Sequence, residues 1–174
     1  MSSRSKILLT HNQRIATAAL MASLALIFSY VEALIPMPVG IPGVKLGIAN
    51  LIILIAVYEL DMRYALAINV IRISVAGLLF TGLFGALYSL AGGMLSLIVM
   101  WLLKKTNLFS IIGVSMAGGV AHNFGQIMIA ALLVYNIRMF MYLPVLMLSG
   151  IVSGILIGLI AHHVRRALGS EKEK

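Results

Sequence analysis

Long apolar runs separated by short charged or Gly/Pro-rich breaks divide the sequence into six segments, at about 15–35, 48–60, 64–80, 84–103, 109–135 and 142–164. A hydrocarbon core of about 30 Å takes roughly 20 helical residues to cross, so the pattern predicts a bundle of six transmembrane helices. The second segment is too short to cross unless the apolar stretch before it, 36–47, also lies at membrane depth. That stretch holds three of the four prolines and is expected to fold back over the bundle as a cap. Irregular backbone at such depth is tolerated only against protein or a water-filled cavity. The first run is longer than a signal-peptide core and lacks a small-residue cleavage pattern, so it is read as a retained helix.

Composition sharpens the picture. Of 174 residues, 61% are hydrophobic and 10% charged, and the mean hydropathy is +1.08. These values exclude an ordinary soluble domain and leave a single membrane domain, 1–174, with no room for a nucleotide-binding module. The net charge of +8 is scattered through the breaks rather than gathered in a patch, which argues against nucleic acid as a partner. Its distribution sets the topology instead. With the N-terminus inside, Arg4, Lys6, Arg14, Arg63, Lys104, Lys105, Arg165, Arg166, Lys172 and Lys174 lie in the cytoplasm, against Lys45 and Arg138 outside. Both termini are thereby expected to be cytoplasmic, in a multi-pass protein of the plasma membrane. Cysteine is absent, so there is no disulfide framework or thiolate metal site.

Small residues recur every fourth position at Ala18 and Ala22, at Gly85, Ser89 and Gly93, and at Gly150, Gly154 and Gly158. Such spacing shares one helix face and lets backbones approach closely in lipid. The Gly150 series reads as internal packing. Ala18 and Ala22, flanked by Ala19 and Ser23, could also form a smooth surface for a partner protein.

Glu32, Asn50, Asn69, Arg72, His122, Asn123 and Gln126 fall inside apolar segments, where an uncompensated charge costs several kcal/mol and belongs against protein or a cavity. Their estimated depths converge on the outer half, beneath the stretch carrying Lys45. Lys45, Asn50, Arg72, His122, Asn123 and Gln126 are therefore the candidate ligand-binding residues. Arg72 and Lys45 suit a carboxylate, a phosphate or another electron-rich oxygen. The bland alternatives are a neutralising pair of Arg72 with Glu32 and polar groups bonded only to neighbouring helices. A proton-coupled alternative would titrate Glu32 and His122. No catalytic residue, metal site or cofactor is expected: there is no Walker loop, no paired-Asp magnesium motif and no catalytic triad spacing. The pair His162 and His163, beside Arg165 and Arg166, reads as interfacial.

Two motifs, Pro42-Gly-Val-Lys-Leu-Gly-Ile-Ala-Asn50 and Gly118-Gly-Val-Ala-His-Asn-Phe-Gly-Gln126, with Ser89-Leu-Ala-Gly-Gly-Met-Leu-Ser96 between them, resemble the Gx transporter family, also labelled heptaprenyl diphosphate synthase component I. That family is similar to the S components of energy-coupling factor (ECF) transporters, six-helix bundles that bind a micronutrient near the outer surface. The resemblance implies that Ala18 and Ala22 form an Ala-x-x-x-Ala face for a shared transmembrane partner with ATPases, and that 36–47 caps the ligand. It also implies ligands such as a vitamin, a quinone, an isoprenoid precursor or a flavin. With only five acidic residues, prenyl transfer by this chain is not expected. The leading expectation is thus an S-component-like uptake protein. The runner-up is a non-transporting membrane subunit of a quinone or isoprenoid pathway, or of flavin-linked extracellular electron transfer.

Overall fold

The computed structural model describes residues 10–35 and 47–169. Within them lie six α-helices: α1 His11–Leu34, α2 Ile48–Glu59, α3 Met62–Ala76, α4 Gly82–Thr106, α5 Ile111–Leu133 and α6 Leu143–Ala167. A π-helical turn, Gly77–Thr81, joins α3 to α4, and a 3-10 helix, Ile137–Tyr142, precedes α6. Each predicted segment has its helix. The described residues contain no strand.

Four stretches are long and apolar enough to span a membrane: α1, Met62–Thr106, α5 and Ile137–Ala167. The second of these runs 45 residues, which as one straight helix would reach about 67 Å, twice a hydrocarbon core. It does not stay straight. Gly82 adopts φ 69° and ψ 177°, a region open essentially to glycine alone, and α4 turns back to pack on α3.

α2 stands apart. At 12 residues it is about 18 Å long, too short to cross alone. Eight of those residues are buried, on every side of the helix, as expected for a helix that is hydrophobic all round and enclosed by others. Its shell is Ala22 and Ala25 of α1, Ala65 and Ile68 of α3, Leu97 and Met100 of α4, Ile111 and Val114 of α5, and Ile157 and Ala161 of α6.

The ends of α2 are satisfied from other helices. It has no side-chain cap, no acid in its first turn and no base in its last. Instead the Glu32 carboxylate of α1 accepts the N–H of Gly47, the residue preceding α2. At the other end Lys104 Nζ of α4 donates to the Val57 carbonyl at 2.5 Å. Arg165 of α6 pairs with Glu59 at 2.6 Å and lies over the Tyr58 ring. Negative charge at the start of a helix and positive charge at its end both oppose the peptide macrodipole favourably.

α4, α5 and α6 form a slab held by close backbone approach. A Cβ at Gly119 would lie 2.3 Å from the Gly150 carbonyl oxygen, one at Gly154 2.6 Å from the Met116 Cα, and one at Gly158 2.7 Å from the Ile112 Cα. The Gly150 series is internal packing. The placement of Ala18 and Ala22 differs from the outward surface considered for them. Ala22 is 9% exposed and part of the core around α2, and Ala18 packs against that core. The inward stripe of α1 runs Ala18, Ala22, Ala25, Ser29, Glu32, while Ile15, Leu20, Leu24, Ile27 and Leu34 face out.

Candidate functional site

Polar side chains from five helices meet in a cavity of about 50 Å³. Glu32 comes from α1, Asn50 from α2, Arg72 from α3, Ser89 from α4 and His122 from α5, with Thr81 from the π-helical turn. A second cavity, of about 20 Å³, shares Asn50 and His122 with the first and adds Asn123, Ser96, Ser115 and Ser153. Asn50 and His122 thus stand between the two. At roughly 30 Å³ per water molecule, this conformation has room for water-sized occupants only.

Arg72 is the centre of the arrangement. It is 7% exposed, and it donates from Nη2 to Asn69 Oδ1 at 2.7 Å and from Nη1 to Ser29 Oγ at 3.2 Å. Its Nε has no protein partner. Glu32 is the acid whose field reaches it, on the same cavity wall. Asn69 Nδ2, Ser96 Oγ and Gln126 Oε1 are likewise buried without a protein partner. Each such atom costs about 1–3 kcal/mol relative to a hydrogen-bonded state; of the four residues, Arg72 lines the first cavity and Ser96 the second.

Of the residues picked out in the sequence, Asn50, Arg72 and His122 share the first cavity and Asn123 joins Asn50 and His122 in the second. Asn123 also donates from Nδ2 to the Leu146 carbonyl at 2.6 Å, tying α5 to α6. Gln126 is buried against Gly92 of α4 and is not among the residues lining either cavity. Lys45, and all of 36–47 except Gly47, lie outside the described residues. His163 engages the Leu159 carbonyl one turn back and stacks edge-on with His162, 5.7 Å between centroids.

Sequence reasoning missed the hydroxyls Ser29, Thr81 and Ser89, and left Asn69 out of the site. Two signals were present. Asn69 and Arg72 are three apart and so share a helix face, and Ser29 continues the Ala18, Ala22, Ala25 spacing toward Glu32.

The fold and cavity define a helical membrane protein with a charged, desolvated polar centre. The chain belongs to the heptaprenyl diphosphate synthase component I family, whose profile matches residues 21–164. Neither a curated protein nor a solved structure matches it.

Proposed function

We propose that the protein captures a small, partly apolar organic ligand at the Arg72 centre and serves as the ligand-binding membrane subunit of an uptake system of the energy-coupling-factor kind, without catalysing prenyl transfer. In this reading the bundle crosses the plasma membrane six times with both termini in the cytoplasm. One observation carries it: five helices each bring a polar side chain to one cavity whose arginine keeps an unpartnered Nε. Arginine offers a planar fork for a carboxylate, phosphate or quinone-type oxygen. Admission of such a ligand needs the cavity to widen, and α1, which lines it, is the least enclosed of the spanning stretches.

The acidic residues favour a non-catalytic chain. Among the described residues these are Glu32, Glu59 and Asp61. Glu32 binds Gly47, Glu59 binds Arg165, and Asp61 binds Arg14. Glu32 and Glu59 stand at opposite ends of α2, about 18 Å apart by helix length. Holding magnesium on an allylic diphosphate needs convergent carboxylates.

The family name favours a second reading, a non-transporting subunit of a multi-component isoprenoid or quinone assembly. Mass spectrometry of small molecules retained by the purified wild-type protein and by Arg72→Met separates the possibilities. A retained compound lost from the variant, together with co-purification of a transmembrane subunit and ATPases, supports uptake. Co-purification with a prenyltransferase or redox subunit supports the second reading. Prenyl diphosphate synthesis by the chain alone overturns the non-catalytic assignment.

A further inference from the structure

At the opposite end of α2 from Glu32 lies a second concavity, of about 860 Å³, lined by His11 and Arg14 of α1, Asp61, Arg63 and Tyr64 at the start of α3, and Trp101 of α4. It is separate from the Arg72 cavity and shares no residue with it. Arg14 bridges Asp61 at 2.9 Å, which fixes the rim between α1 and α3. Lys105 Nζ sits 4.4 Å over the Trp101 ring, adding a further cation at the edge of the groove. Asp61 offsets one of the three cations Arg14, Arg63 and Lys105, so the groove keeps an excess of positive charge. Arg63 and Lys105 are exposed, and Trp101 and Tyr64 are half-buried.

The groove continues into an apolar track. Below Arg63, the same face of α3 presents exposed Ala67, Val70 and Ile71. Below Trp101, α4 presents Ile98, with Leu102 beside it. The molecule that fits has a compact anion at one end and hydrocarbon running from it, with an interfacial ring at the junction. Tryptophan and tyrosine favour that junction in membranes, and basic pockets between helix ends hold acidic head groups.

The geometry points to this groove as a binding site for an anionic phospholipid of the surrounding leaflet, its phosphodiester held by Arg63 and Lys105 beside Trp101 and its acyl chains lying along α3 and α4. A free phosphate would satisfy the cations but leave the apolar track unused.

The test uses delipidated full-length protein in non-ionic detergent, titrated with short-chain phosphatidylglycerol or phosphatidylcholine and read by native mass spectrometry. Wild type should retain phosphatidylglycerol preferentially. Arg63→Gln and Lys105→Gln should each weaken that retention about fivefold, from about 1 kcal/mol per cation near a membrane surface, with little change for phosphatidylcholine. Arg138→Gln, on the 3-10 helix before α6, should leave it unchanged. Both groove cations are exposed, so the variants should elute and melt like wild type, and each is scored separately. Equal retention of the two lipids overturns the proposal, as does unchanged phosphatidylglycerol binding in both groove variants. Displacement of phosphatidylglycerol by millimolar inorganic phosphate would reassign the groove to a soluble anion.

Discussion

Glu32, two residues from the end of α1 in sequence, holds the backbone N–H of Gly47, the residue from which α2 springs. The same carboxylate lies on the wall of the Arg72 cavity, so one side chain anchors the buried helix and balances the buried cation. Glu32→Ala removes both roles. Loss of a charge-assisted bond of about 1.5–3 kcal/mol predicts a lower melting temperature in detergent, and Glu32→Gln, which still accepts from Gly47, should recover part of it. A variant melting with wild type would show that the contact contributes nothing.

Arg72 and Glu32 should be energetically coupled. Arg72→Met leaves the half-buried Glu32 carboxylate without the cation that shares its cavity, and should lower stability. The double variant Glu32→Gln, Arg72→Met should be more stable than Arg72→Met alone. A thermal-unfolding double-mutant cycle with no coupling would refute the pairing. Loss of ligand by Arg72→Met is interpretable only where the double variant, stable but lacking the guanidinium, also fails to retain it.

Glycine replacements should separate sharply by position. At Gly119 a methyl group collides with the backbone of α6, 2.3 Å from an oxygen, whereas at Gly113 its nearest neighbours are 3.7 Å away. Gly119→Ala should force α5 and α6 apart at a cost of about 1–3 kcal/mol or more. Gly113→Ala should be neutral or stabilising by up to about 1 kcal/mol through helix propensity. Thermal melts of the two variants decide it.

Whether α1 couples to a partner can be tested by comparing its buried and exposed faces. Ala22→Leu overpacks the core around α2 and should lower stability by about 1–3 kcal/mol. Ala19 is exposed, so Ala19→Leu should melt like wild type. If α1 meets a transmembrane partner, Ala19→Leu should reduce co-purification with that partner while leaving ligand retention intact. Unchanged co-purification would remove α1 from the interface.

Helix existence was legible in the sequence because apolar runs and their breaks mark it directly. Helix ends were less so. α1 begins at His11 rather than near residue 15, because Thr10 and Gln13 form a reciprocal capping box that extends the helix through polar residues a hydropathy reading discards. α5 stops at Leu133, two residues short of the expected end, where Tyr135 turns to φ 51°.

The candidate site was legible as a list of polar residues at similar depth, since a membrane interior makes each of them costly. Which of them converge was not. Depth along a helix does not give its rotation: His122 and Gln126 both lie against Gly92, but only His122 reaches the cavities, while Asn123 shares the second cavity with it and bonds the Leu146 carbonyl. The inward face of α1 could have been inferred from physics. In lipid, the bulkier and more apolar face looks outward, which places Ala22, Ala25, Ser29 and Glu32 inside.

α2 depends for both of its ends on residues that are synthesised before and after it, and this bears on how the protein is made. A 12-residue apolar helix emerging from the ribosome has Glu32 already in place for its start. The lysine and arginine that complete its far end sit at positions 104 and 165. α2 therefore cannot reach its final setting until the last helix has been delivered to the membrane. Lys104 arrives with α4, but until α6 follows Glu59 remains without Arg165, so a chain cut before α6 should persist as an unfinished bundle exposed to membrane quality control.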